Sequence, residues 1–166
     1  MNLWEVKRSG ERAQWTVTPL VSVGPLSFGA THGEVVAALD GEKASITFGG
    51  PPEEAHFDDA GVTTYYAGGR LYCVAVDALS GPQVLLEGTA LAGRAPSAVE
   101  QWAVDQARTR QLELRYTHAG DPLITEYSVI LRAQRAGDIV LSRPVFLEKP
   151  CDVAWDYVPP REWQTF

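Results

Sequence analysis

The run Glu53-Glu-Ala-His-Phe-Asp-Asp59 carries the densest set of chemically useful side chains in the chain, four carboxylates around His56. Carboxylates with an imidazole are the donor set that hard and borderline cations take. The other use is acid–base work, with His56 or His118 as a general base in an aromatic-walled pocket built from Trp15, Trp102, Trp155, Tyr65 and Tyr66. Spacing supports neither use. The fixed oxygen pattern of a calcium loop and the HExxH pair are both missing, and His32 and His118 bear no spacing relation to His56. No GxSxG elbow is present, so Ser22-Val-Gly and Ser27-Phe-Gly read as turn and strand residues. Phe48-Gly-Gly-Pro-Pro52 runs into prolines, without the Lys-Ser/Thr of a phosphate loop. The sequence therefore implies no catalytic set, no metal and no cofactor.

Charge points elsewhere. The net charge is −7, and between Glu34 and Asp59 seven acidic residues face Lys43 alone, so that stretch holds nearly all of the excess. Nucleic acids and anionic membranes are engaged by basic patches, so neither is an expected partner. Surfaces normally intersperse both signs, and an uncompensated acidic run suits a basic protein partner. The expected interface is Glu42, Glu53, Glu54, Asp58 and Asp59, with Tyr65 and Tyr66 at its rim as aromatic anchors. Met1 to Arg8 has no long apolar stretch behind its charges, which reads as neither signal peptide nor membrane span and implies a cytoplasmic protein. Cys73 and Cys151 stand far apart with no CxxC, as two reduced thiols would.

The positioning elements follow from periodicity. The chain is read as a single domain over residues 1–166, long enough to bury roughly 68–70% of its unfolded surface without staples. Fifteen Gly and eleven Pro call for many turns, so strands should outnumber helices. Leu3 to Lys7 and Gln14 to Thr18 read as an opening hairpin in which Trp4 meets Trp15. Thr31-His-Gly-Glu34 is a capping box that starts a short helix to Leu39, and Ser97-Ala-Val-Glu100 repeats the device for a helix to about Thr109. Ala44 to Phe48 is a strand, and Val62 to Tyr66 with Arg70 to Val76 forms a hairpin around Ala67-Gly-Gly69. The second of those strands is apolar on both faces, as a central strand should be. Val84 to Glu87, Leu112 to Tyr116, Tyr127 to Arg132 and Ile139 to Arg143 complete an antiparallel meander, onto which the aromatic tail from Trp155 packs back. The expected class is α+β, a mainly antiparallel sheet with two short helices packed on it.

Gly24-Pro-Leu-Ser-Phe-Gly-Ala-Thr-His-Gly-Glu-Val-Val-Ala-Ala-Leu39 resembles the opening of small bacterial domains of the β-lactamase-inhibitor-protein and BamE-like kind, in which a helix leads into an antiparallel sheet. Leu85-Leu-Glu-Gly-Thr-Ala-Leu-Ala-Gly-Arg94, with the helix carrying Glu100-Gln-Trp102, is similar to immunity-type proteins that accompany secreted bacterial toxins. The two stretches lie within residues 23–109 and carry over no functional residue. The inhibitor proteins show their opening twice and with disulfides, whereas here the second copy is degraded and no Cys pair matches. The resemblance implies an immunity-like protein whose acidic surface occludes the basic cleft of a toxin or enzyme. A small-ligand binder or enzyme using the aromatic pocket, and an adaptor subunit of a bacterial complex, are the alternative readings.

Overall fold

A computed structural model describes residues 4–150 and 157–166. The fold is α+β, with a large antiparallel sheet as its middle layer. Strand β1 (Gln14–Thr18) is followed by the hairpin β2 (Ser22–Val23) and β3 (Leu26–Ser27), helix α1 (His32–Ala38), and the meander β4 (Ile46–Phe48), β5 (Glu54–Phe57), β6 (Val62–Ala67) and β7 (Arg70–Val76). The order then repeats: hairpin β8 (Gln83–Leu86) and β9 (Thr89–Ala90), helix α2 (Pro96–Arg110), and meander β10 (Leu114–Tyr116), β11 (Pro122–Ile124), β12 (Val129–Ala136) and β13 (Ile139–Leu147).

The two meanders join through β7 and β13 into one eight-stranded sheet, order β10-β11-β12-β13-β7-β6-β5-β4. Each unit's first meander strand therefore lies at an outer edge. The hairpins flank β1 in a second sheet of order β3-β2-β1-β8-β9. The repeat extends to single residues. Gly24 and Gly29 match Gly88 and Gly93, all four at positive φ, where a Cβ is penalised. Thr31 matches Ala95 as the residue capping each helix, and Val35 matches Val99 as a buried helix residue. Gly29 and Ala30 exchange backbone hydrogen bonds with Leu71 of β7 as Gly93 and Arg94 do with Ser142 of β13.

Strand alternation divides the core. Phe57, Val62, Val74, Val76, Leu131 and Phe146 pack under the helices and the small sheet with Val35, Val99 and Trp102. Tyr65, Cys73, Ala75, Ile130, Val145 and Leu147 face the opposite side, where Val158, Tyr157 and Trp163 of the C-terminal segment cover them. The tail thus packs onto the sheet, and β7 is the doubly buried central strand its composition predicts.

Several local expectations are corrected. No hairpin forms between Trp4–Lys7 and β1, because the backbone N–H of Lys7 bonds Leu79 and the buried Arg12 guanidinium bonds Ala78 and Gly81, tying this stretch to the β7–β8 loop. Trp4 lies beside Gly137 and Trp15 over Gly24, so they do not meet across a hairpin. The Thr31/Glu34 capping box is present, whereas the cap of α2 is Ala95, two residues before Ser97, with Pro96 as the first helical residue. Pro suits that position because its missing N–H would have no helical partner, and Glu100 instead accepts a hydrogen bond from the Tyr116 hydroxyl at 2.8 Å. Cys73 is buried in the sheet; Cys151, Trp155 and the start of the predicted Leu3–Lys7 strand lie outside the described residues.

Candidate functional site

Period-two alternation on β5 turns Ala55 and Phe57 into the core and leaves Glu54 and His56 on the tail side. Register sets Glu54 opposite Tyr65 and His56 opposite Thr63, so four polar side chains share one face of the first unit. Glu54 contacts His56 Nε2 at 2.5 Å, and His56 Nδ1 lies 3.4 Å from the Thr63 hydroxyl. Arg161, from the tail, ion-pairs with the same Glu54 carboxylate and lays its guanidinium 4.6 Å from the ring centre of Phe48. Phe48 in turn meets His56 edge to face.

Arg161 borders two cavities. One, of about 440 Å³, has Phe48, Tyr65 and Tyr72 as aromatic walls, Glu53 and Glu54 as carboxylates and Pro160 at the tail side. The other, of about 300 Å³, is lined by His56, Thr63, Asp77, Ser80 and Arg143. Burial raises Tyr65 well above the usual phenol range, helped by the adjacent Glu162 carboxylate, and pushes Tyr72 up to about 12. Both phenols stay neutral at physiological pH. Asp77 is held below the ordinary carboxylate range: burial opposes ionisation, but hydrogen bonds from Gln134, Ser80 and Leu79 outweigh it.

Across the sheet, the second unit carries a locked version of the same chemistry. Glu162 is fully buried and takes two bonds from Arg143, Nε and Nη2 each at 3.0 Å, plus one from the Tyr65 hydroxyl. Burial alone would lower Arg143, and the facing Glu162 carboxylate turns the net shift upward. Arg132 pairs with Asp121 at 2.9 Å and donates to the Glu162 and Gln164 carbonyls.

The expected interface residues come together only in part. Glu53, Asp58 and Asp59 are exposed. Glu42 is half-buried and accepts from the backbone N–H groups of Asp59 and Ala60, and Glu54 is held by Arg161 and His56; both therefore support the fold. Tyr65 and Tyr66 are not rim anchors, being 2% and 4% exposed. Tyr65 points to Glu162 on the tail side, whereas the Tyr66 hydroxyl meets Thr64 and His32 below α1. The predicted aromatic pocket does not assemble either, since Trp102 stacks on Tyr127 under α2 and Trp15 packs over Gly24. His118 lies against Trp163, away from His56. Among the described residues, no three His, Cys, Asp or Glu side chains gather as a metal site needs, and no helix is long and apolar enough to cross a membrane.

Sequence reasoning missed the edge. All three residues of β4 are exposed, and Ile46 and Phe48, on one side of the strand, leave 55% and 44% of their surface open. The equivalent edge β10 differs: Arg115 ion-pairs with Glu113, and Tyr116 is tied to Glu100. Strand edges are ordinarily blunted by such charges, and β4 carries none. The signal was the uncharged Ile-Thr-Phe inside an acidic region, but its edge position depends on long-range pairing. No protein-family model matches the chain, and searches of curated proteins and of solved structures return no match.

Proposed function

We propose that the chain is an immunity-like inhibitory protein of the cytoplasm that occludes a basic protein partner at the acidic β4 edge of its first unit. The observation that carries this reading is the uncharged, exposed strand Ile46–Phe48 bordered by exposed Glu53, Asp58 and Asp59. An open edge offers backbone groups for strand addition by an extended segment, with Ile46 and Phe48 as its apolar contacts. The acidic flanks select a basic segment and speed encounter. Glu42 and Glu54 hold the surface in shape, and Tyr65 and Tyr66 stiffen it from within.

The test starts from the partner recovered by affinity capture in the source cells. E53Q/D58N/D59N should fold normally and associate at least about tenfold more slowly at low salt. Wild-type kinetics would overturn the reading. A second reading, a small-ligand pocket or enzyme, rests on His56 set between Glu54 and Thr63 at the smaller cavity. H56N separates the two: it should leave partner association unchanged, and a loss of function there would favour the pocket.

A further inference from the structure

Two arginine–carboxylate pairs fix the tail to the sheet, and they differ in kind. The Arg143–Glu162 side chains are 6% and 0% exposed, whereas those of Arg161 and Glu54 are 35% and 13% exposed. A buried pair cannot open without stranding a charge, while a partly solvated pair exchanges partners at small cost. The Arg161 Nε that meets Glu54 is buried, but a third of the side chain is exposed, so Arg161 is held less tightly than Arg143. It sits in surroundings that suit any guanidinium: a carboxylate in line, the exposed Phe48 ring beneath, and the aromatic-walled cavity of about 440 Å³ alongside. The cavity keeps further capacity for positive charge, because Glu53 at its wall has no cationic partner among the described residues.

We infer that this groove is an arginine-binding subsite, held in cis by Arg161 and taken over by an arginine side chain of the docking partner. The inference rests on the β4-edge reading and names the residue that the edge recognises. Phe48 belongs both to β4 and to the groove wall, so a strand laid along the edge runs past the opening and drops one side chain into it. Arginine is favoured over lysine because a planar guanidinium stacks on an aromatic ring and bonds a carboxylate in the same pose. Self-occupancy raises the threshold for binding, since a competitor's apparent affinity is multiplied by the fraction of molecules in which Arg161 is out of the way.

The probe is Nα-acetyl-arginine methylamide, with the lysine analogue as control, titrated into the full chain and followed by amide chemical shifts. R161Q should bind the arginine probe at least about tenfold more tightly than wild type, with the lysine analogue weaker. E54Q/R161Q should lose that gain. In the wild type, where folding is not in question, saturating probe should shift the Arg161 Nε–H resonance together with the amides of Phe48 and Glu54. Equal binding by wild type and R161Q, retained binding by E54Q/R161Q, or an unmoved Arg161 resonance would overturn the inference. If R161Q ignores arginine while E53Q/D58N/D59N still slows the partner, the subsite fails and the edge reading stands. If arginine binds as expected while the triple variant keeps wild-type kinetics, the edge reading fails and the subsite stands.

Discussion

The two hairpin–helix–meander units begin alike and finish differently. Their glycines, caps and buried helix valines correspond, and both anchor the residue before the helix cap to their last strand. The outer edges diverge. β10 is guarded by Glu113, Arg115 and the Tyr116–Glu100 bond, whereas β4 exposes Ile46 and Phe48 without a charge. The tail-facing sides diverge in the same sense, with a locked pair at Arg143–Glu162 and an accessible one at Arg161–Glu54. Repetition fixes the scaffold, and departures from it mark where one unit is built for stability and the other for contact.

The contrast between the two pairs gives the largest effects. E162Q neutralises the carboxylate that accepts from both Nε and Nη2 of buried Arg143 and should destabilise the protein by about 3–5 kcal/mol in a denaturant titration. E54Q at the more open pair should cost no more than about 1 kcal/mol. Equal losses would remove the distinction. The helices give the next test. Trp102, buried on α2, has no aromatic counterpart on α1, so W102A should cost about 3–5 kcal/mol, while V35A and V99A, at matched positions, should each cost about 2 kcal/mol. A neutral V35A would break the equivalence of the units.

Alkaline pH reads the first unit's tail-facing side. Tyr65 and Tyr72 are raised in the fold, so their contribution is complete below the unfolded phenol value of about 10 and is lost as pH climbs through the folded values, about 12 for Tyr72. Denaturation midpoints should fall between about pH 9.5 and 11.5, and Y72F should flatten part of that slope.

Most of the scaffold was legible because it rests on local signals. The Thr31/Glu34 box, the Ala67-Gly-Gly69 turn, the doubly apolar Arg70–Val76 and the aromatic tail all report their own environment. The repeat was half visible. The second unit was misread by two residues because Ser97 and Glu100 imitate a capping box, while the true register runs through Gly88, Gly93 and Ala95, which has no side-chain cap to announce it. The site was less legible, since acidity showed in the sequence but exposure did not. That Glu54 is tied up, that Tyr65 points inward and that Arg161 arrives from the far end of the chain all follow from long-range pairing.

The smallest stability effect belongs to the measurement that bears most directly on the account. Placing a guard on each edge in turn, I46K on β4 and Y116K on β10, should change the unfolding free energy of either variant by no more than about 0.5 kcal/mol. Association of the captured basic partner should then separate them: affinity at least about tenfold weaker for I46K and unchanged for Y116K. Equal binding by both variants, or a loss confined to Y116K, would contradict the assignment of contact to the first unit.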